Sequence, residues 1–309
     1  MAQKNKSSTV WMNGNMVPYA DATVHVMTHA MHYGSSVFEG IRAYETPQGT
    51  AIFRLEDHID RLFYSARVYR ITIRHSKQEL MAACRTLVTE NGLLSAYIRP
   101  LVWIGNIGMG LNAAEGSHTE AAVLVQEWGT LLGERALTDG IRACVSSWAR
   151  LAPNTMPPGV KASGNYLSSQ LIGGEARRHG YDEGIGLASN GMLSEGSGEN
   201  LFFVKHGKLY TPPVGASLLA GITRDTVLCI AADLGLEVTE QDLPREFIYA
   251  ADEMFMTGTA AEITPVISVD DLPIGDAVRG PVTQQIQDRF FGLFSGATED
   301  SRGWLDYVS

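Results

Sequence analysis

Three turn dipeptides constrain this chain more than any other feature. Asn13-Gly14, Asn190-Gly191 and His206-Gly207 each stand between two short apolar runs. Such pairs supply the positive φ angles of a tight turn, so each returns the chain antiparallel beside itself. Trp11 to Val17 therefore reads as a hairpin. Gly184 to Leu187 returns through the second turn, and Leu201 to Val204 through the third.

Between the hairpins the hydrophobic period changes. Ile59, Leu62, Phe63 and Ala66 recur at helical spacing, as do Leu80, Ala83, Cys84 and Leu87, with Asn91-Gly92 closing the second helix. Asn165 to His179 reads as a helix closed by Gly180. Val227, Leu228, Ile230, Ala231 and Leu234 mark another stopped by Gly235, and a last helix spans Val282 to Leu293. Tyr97 to Ile104, Ala121 to Gln126, Ile141 to Trp148 and Glu253 to Met256 read as strands, with Val24 to Met27 as a further short one. Tyr33 to Gly40 reads as a loop or bulged strand. Hairpins mixed with helices argue α+β packing rather than a regular βαβ repeat. For 309 residues two domains are expected, and the Gly-rich stretch from Trp128 to Gly133 marks their connection. The expected division is a smaller α/β domain over 1–128, a connection over 129–136 and a larger domain over 137–309.

Composition excludes several functions. The formal net charge is -10, with no run of like charges, whereas nucleic-acid binding needs clustered Lys and Arg to neutralise phosphates. Met1 to Ser8 is polar with no apolar stretch after it, so no signal peptide is expected, and no window is apolar enough to cross a bilayer. Cys84, Cys144 and Cys229 are odd in number and widely spaced, as reduced thiols of a cytoplasmic protein would be. The histidines are scattered, and no metal site is expected.

A few stretches have the composition of a chemical site. Lys161 lies among small and rigid residues, with no other charge between Arg150 and Glu175. Burial there would lower its pKa, as a Schiff-base lysine requires, although an ordinary solvated lysine fits this stretch better when it is taken alone. Glu195, Glu199 and Asn200 stand among glycines that admit a flat ligand, or form a plain turn with exposed acids. Gly221 to Asp225 opens a helix with Thr223 as N-cap, and a helix start suits a phosphate. Thr257 to Glu262 ends a strand in small residues. Tyr97 and Arg99, two apart on a strand, face the same way and suit a carboxylate. Arg61 lies about 200° from Ile59 around its helix and reads as a surface residue. Gly105 to Gly110 has the wrong glycine order for a dinucleotide loop.

Taken together these stretches resemble the bacterial branched-chain amino acid aminotransferases of fold type IV. The resemblance runs from Trp11 to about Tyr307. It rests on Val37-Phe38-Glu39-Gly40-Ile41-Arg42, Ala96-Tyr97-Ile98-Arg99-Pro100-Leu101, Lys161-Ala162-Ser163-Gly164-Asn165-Tyr166, Glu195-Gly196-Ser197-Gly198-Glu199-Asn200-Leu201-Phe202, Gly221-Ile222-Thr223-Arg224 and Gly258-Thr259-Ala260-Ala261-Glu262. It implies an α/β fold of the α+β type, like that of D-amino acid aminotransferase, with the active site at the interface of two domains and pyridoxal 5′-phosphate as cofactor. Lys161 would form the Schiff base, Glu195 would face the pyridine nitrogen and Tyr166 would bond the phenolic oxygen. Arg61, Ile222, Thr223 and Thr259 would cup the phosphate, against the surface reading of Arg61. Gly198, Asn200, Leu219 and Gly221 would complete the cofactor's surroundings.

On the substrate side the resemblance implies Phe38, Gly40, Tyr97, Arg99, Thr259 and Ala260. Thr259, Ala260 and Tyr97 would hold the α-carboxylate. Tyr33, Phe38, Leu111 and Trp128 would shape an apolar pocket for leucine, isoleucine or valine. Arg99 would meet the distal carboxylate of glutamate. The amine of Lys161 would move the proton at the substrate Cα, and 2-oxoglutarate would take up the amino group. The partners are then small amino and 2-oxo acids and further copies of the chain in a dimer or larger assembly, with no nucleic acid and no membrane. The chain departs at Leu131, where bacterial members often carry a tyrosine whose hydroxyl helps hold that distal carboxylate. Its absence implies a weaker hold on 2-oxoglutarate, by about 1.5–3 kcal/mol. The same fold also serves D-amino acid aminotransferases, R-selective amine transaminases and aminodeoxychorismate lyases. Tyr97 with Arg99 and Gly108-Met109-Gly110 favour the branched-chain group. Lys161, Glu195 and Tyr166 together disfavour a non-catalytic binder, and the glycine order disfavours an NAD-dependent dehydrogenase.

Overall fold

The structure is a computed structural model that describes residues 8–113, 116–129, 133 and 135–308. It contains two compact units. The first is Met1–Gly129 with Val160–Gly164 and Asp300–Ser309, and the second is Thr130–Gly159 with Asn165–Glu299. Two pieces read from sequence as parts of 137–309 therefore belong to the first unit. Backbone hydrogen bonds are the cause. Leu305–Tyr307 pairs antiparallel with Gly49–Phe53, and Ala162 bridges Val37. Arg85 adds two bonds to Asp306, of 2.5 and 2.6 Å.

The described strands of the first unit form one antiparallel sheet. Its order is Leu305–Tyr307, Gly49–Phe53, Ile41–Thr46, Ala96–Ile104, Thr119–Glu127, Thr9–Met12 and Asn15–Pro18. Ser36–Phe38 pairs beside Ala96–Ile104. The first hairpin is as expected, with Asn13 at φ 49° and Gly14 at φ 92°. Helices Leu55–Val68 and Lys77–Glu90 bring Ile59, Leu62, Leu80, Cys84 and Leu87 into one core with Ile41, Ile98 and Val123. Ser76 and Glu79 form a reciprocal cap at the start of the second helix.

Two local expectations change. Val24 to Met27 is not a strand. The Thr28 N–H bonds back to the His25 carbonyl at 2.9 Å, which turns the chain, and Val24 and Val26 stay exposed. Tyr33 to Gly40 is neither one loop nor one strand. Tyr33 closes the short helix His29–Tyr33, Gly34 caps it at φ 66°, and Ser36–Phe38 follows as a strand.

The second unit holds the other sheet. Its order is Leu193–Gly196, Glu183–Leu187, Ile141–Val145, Glu262–Val269, Glu253–Gly258, Asn200–Lys205, Lys208–Thr211 and Val238–Glu240. Most pairs are antiparallel. Ile141–Val145 and Glu183–Leu187 run parallel, joined through helix Tyr166–Arg178, and Lys208–Thr211 and Val238–Glu240 run parallel, joined through helix Ile222–Asp233, so two βαβ units sit inside an α+β fold. Helices Ile222–Asp233 and Pro281–Ser295 pack on Glu253–Gly258. Phe255 of that strand stacks on Phe202 with ring centroids 5.1 Å apart. Among the described residues no helix is long and apolar enough to cross a membrane.

Candidate active site

In the first unit, Lys161 is half-buried and its backbone is held at both ends. Its N–H donates to Ser65 Oγ at 3.2 Å, and its carbonyl accepts from Phe38 N–H at 3.1 Å. Its Nζ lies 5.1 Å from the centroid of the Phe38 ring, and the Arg99 guanidinium lies 4.5 Å from the same ring. Arg99 Nη2 donates to Tyr97 Oη at 2.9 Å, and the Tyr97 ring lies 5.0 Å from that of Trp128. Gly40 is required here, because a Cβ would stand 1.9 Å from Tyr97 Oη. Phe38, Gly40, Tyr97, Arg99, Trp128 and Lys161 thus form one connected group. Two of its donors, Arg99 Nε and Trp128 Nε1, are buried without a hydrogen-bond acceptor among the described residues, so the group has unspent capacity to bind an anion.

Tyr33 and Leu111 are placed differently. The Tyr33 hydroxyl accepts from Gly110 N–H at 3.3 Å, and Leu111, the next residue, is 79% exposed.

Helix Leu55–Val68 supplies a second feature that sequence reasoning missed. Glu39, fully buried, accepts from Arg61 Nε at 2.7 Å and from Arg61 Nη2 at 2.9 Å, and it bonds His58 Nδ1 at 2.7 Å. Burial pushes the Glu39 carboxyl up, but the charge and hydrogen bonds of Arg61, joined by His58, outweigh it and hold the group well below the usual carboxylate range. Burial holds His58 below the usual imidazole range. Glu39 opposes that shift, while Arg61 and Lys161 add to it. His58 is therefore a neutral imidazole that donates from Nδ1. The surface reading of Arg61 is overturned, since its side chain is only 12% exposed. The available signal was Glu39 itself, a charge inside the apolar run Val37 to Ile41.

In the second unit, Glu195 of Leu193–Gly196 faces Asn200 of Asn200–Lys205 across the strand pair. Its Oε2 accepts from Asn200 Nδ2 at 3.2 Å and from the Leu219 backbone N–H at 3.1 Å. Its Oε1 accepts from Arg150 Nη2. Asn200 Nδ2 also donates to the Leu219 carbonyl at 2.9 Å, and a Cβ on Gly221 would stand 2.1 Å from Asn200 Oδ1. Glu195, Asn200, Leu219 and Gly221 are thereby brought together, with Arg150 as the member not foreseen.

Gly198 N–H donates to Glu199 Oε2 at 3.0 Å. Glu199 is buried rather than exposed, and burial, followed by the charge of Glu183, pushes its carboxyl up to about 8. Gly221, not Thr223, is the N-cap of helix Ile222–Asp233, because Asn200 packs against it and sets the chain's approach to the helix. Ile222 and Thr223 occupy the first turn, where backbone N–H groups precede the first intrahelical donor, Asp225. Tyr166 begins helix Tyr166–Arg178, and Thr259 and Ala260 form the turn after Glu253–Gly258. Nearby, Thr257 Oγ1 is buried with no hydrogen-bond partner among the described residues. Leu131 lies outside the described residues.

The sequence family described as amino-transferase class IV matches residues 36–269. The branched-chain-amino-acid aminotransferase of Escherichia coli (strain K12) is 56% identical over 304 residues, which cover 98% of each chain. A crystal structure of the E. coli branched-chain amino acid aminotransferase is similar at a TM-score of 0.97 and 56% identity, over 98% of this chain and 100% of that one. A branched-chain amino acid aminotransferase from T.th., solved with pyridoxamine 5′-phosphate, is similar at a TM-score of 0.95 and 46% identity, over 99% of this chain and 100% of that one.

Proposed function

The chain belongs to the aminotransferase class IV family, and on that premise we propose that it is a branched-chain amino acid aminotransferase. It moves the amino group between L-leucine, L-isoleucine or L-valine and 2-oxoglutarate. Its cofactor is pyridoxal 5′-phosphate, which when bound supplies a carbonyl for the amine and a ring that accepts electrons from Cα. The residues present fit that group. Glu195 is a buried carboxylate with both oxygens oriented, as a ring nitrogen needs. The helix start at Ile222 and Thr223 suits a phosphate.

The observation that carries the substrate assignment is Arg99. Its guanidinium lies against the faces of Phe38 and Tyr97, 4.5 and 5.1 Å from their centroids. Such a place offers aromatic surface to an apolar side chain and a cation to a carboxylate, so one pocket serves both partners of the exchange.

Within this proposal Lys161 Nζ would hold the cofactor covalently; once the substrate amine displaces it, the freed amine would carry the proton from the substrate Cα to the cofactor in one half-reaction and from the cofactor to Cα in the other. Glu195 faces the pyridine nitrogen, and Tyr166 holds the phenolic oxygen. Arg61, Ile222, Thr223 and Thr259 hold the phosphate, with Glu39 aligning Arg61. Gly198, Asn200, Leu219 and Gly221 keep the backbone close to the ring. Tyr97 and the backbone of Thr259 and Ala260 bind the α-carboxylate. Tyr33, Phe38, Leu111 and Trp128 surround the branched side chain, Gly40 leaves it room, and Arg99 takes the distal carboxylate of glutamate. Leu131 carries no hydroxyl, so 2-oxoglutarate is held less tightly than in relatives with a tyrosine at that position of the sequence. The enzyme works as a homodimer or larger homo-oligomer in the cytoplasm. The apolar surface of Met109 and Leu111, 81% and 79% exposed, supports the assembly, and the odd number and wide spacing of the cysteines support the compartment.

The test is an absorption spectrum of the protein with pyridoxal 5′-phosphate, before and after L-leucine. A band near the visible edge that moves to shorter wavelength supports the proposal. A band that answers only to a D-amino acid or an amine moves the activity to a relative of the same fold. No cofactor band sinks the proposal.

A further inference from the structure

Glu195 can act on a ring nitrogen only as an anion, and its surroundings do not make that automatic. It is buried, at 5% side-chain exposure, close to a further buried carboxyl, Glu199. Burial disfavours a carboxylate. Two of its hydrogen-bond donors, the Asn200 amide and the Leu219 N–H, are neutral. The cation paired with it is Arg150, 6% exposed, whose Nη2 bonds Glu195 Oε1 while its Nη1 donates to Ser169 Oγ at 3.1 Å. Ser169 lies on helix Tyr166–Arg178, and the Arg150 N–H donates to the Leu187 carbonyl at 2.8 Å. Arg150 is thus tied to the helix and to a strand before it reaches Glu195.

We propose that Arg150 is the positioning residue that keeps Glu195 ionised and aimed at the cofactor's ring nitrogen. The proposal rests on the assignment of Glu195 made above. Asn200 and Leu219 fix one oxygen in space. Arg150 supplies the other with a positive charge that offsets the cost of burying the carboxylate. Without that charge a proton settles on Glu195, the ring nitrogen loses its anionic partner, and the electron sink weakens. The proton at the substrate Cα then becomes harder to remove, while substrate binding, carried by other residues, changes less.

The experiment is a double-mutant cycle on the holoenzyme with Arg150→Met, Arg150→Lys and Glu195→Gln. The readouts are kcat and KM for L-leucine, the cofactor absorption band and the dissociation constant of pyridoxal 5′-phosphate. R150M should lower kcat by about tenfold or more, with a smaller change in KM, shift the cofactor band and weaken cofactor binding. R150K, which keeps the charge, should recover much of kcat. In the E195Q background R150M should cost less than about threefold further, since the group it serves is gone. Equal R150M losses in both backgrounds, or no recovery with lysine, would overturn the proposal and leave the role of Glu195 standing. An E195Q enzyme that matches the unsubstituted one in kcat and spectrum would overturn the assignment of Glu195 and this proposal with it. Should R150M fail to fold, R150K decides alone: a kcat loss in the Glu195 background that disappears in E195Q supports the proposal, and an equal loss in both overturns it.

Discussion

The Arg61 guanidinium grips both oxygens of Glu39, at 2.7 and 2.9 Å, inside the core of the first unit. Glu39 is fully buried and its side chain also bonds His58 at 2.7 Å. A buried ion pair is expensive to half-remove, because the remaining charge is left without compensation. Glu39→Ala should destabilise the protein by about 3–5 kcal/mol. It should also weaken binding of pyridoxal 5′-phosphate if Arg61 holds the phosphate. Urea unfolding and a cofactor titration check the two effects separately, and an unchanged unfolding midpoint would sink the first.

His58 predicts a pH dependence. Its folded value lies below the ordinary 6.5, so near neutrality the unfolded chain binds the proton more readily than the folded one. The stability it contributes is present above 6.5 and is lost as pH falls toward the folded value, at up to about 1.4 kcal/mol per pH unit. His58→Asn, which keeps a donor for Glu39, should flatten stability between pH 7 and 5.5. Unfolding curves across that range test it, and parallel slopes in the two proteins would count against it.

Glu199 has the opposite sign. Its folded carboxyl, raised from 4.5 to about 8, holds a proton that the unfolded chain gives up. Its contribution is full below 4.5 and is lost as pH rises to about 8. Glu199→Gln copies the protonated form, so the variant should gain stability relative to the unsubstituted protein as pH rises from 5 to 8. A thermal melting series settles the point. A difference that stays flat with pH contradicts the assigned shift.

Gly40 and Tyr97 compete for one place. Gly40→Ala would put a methyl group 1.9 Å from Tyr97 Oη, so the ring must move and its bond from Arg99 with it. Overpacking of this kind costs about 1–3 kcal/mol. The KM for both leucine and 2-oxoglutarate should rise, and adding Tyr97→Phe should relieve part of the strain, read as recovered melting temperature. A single variant with normal KM values would refute this.

The last strand belongs to the first unit, and truncation before Asp300 tests that. It removes the pairing of Leu305–Tyr307 with Gly49–Phe53, the Arg85–Asp306 ion pair and the packing of Trp304 on Phe53. Hydrogen exchange should quicken in Gly49–Phe53 far more than in Ile141–Val145. Equal changes in both strands would disagree with the division into units.

Much of the secondary structure was legible because its causes are local. Asn13-Gly14 specifies a turn through its own φ angles, and Ile59, Leu62 and Ala66 specify a helix face through spacing. Where a partner far along the chain decided, local rules failed. Val24 to Met27 has apolar residues but pairs with no strand among the described residues. Thr223 has a capping side chain, yet Asn200 packs against Gly221 and the helix begins two residues earlier than a Thr223 cap would allow.

The candidate site divides in the same way. Lys161, Glu195, Tyr97 and Arg99 are visible in sequence because their residue types and short spacings carry the chemistry. Arg61 read as a surface residue, because periodicity reports a helix's own faces and not what another strand places against them. Glu39 lies 22 positions from Arg61 and Arg150 lies 45 from Glu195. By itself the sequence determined which groups are available: an amine, a carboxylate, a guanidinium and a helix start. Only the tertiary structure decided which charges are buried beside which, because burial and Coulomb attraction depend on distance in space, and the chain must fold before those distances exist.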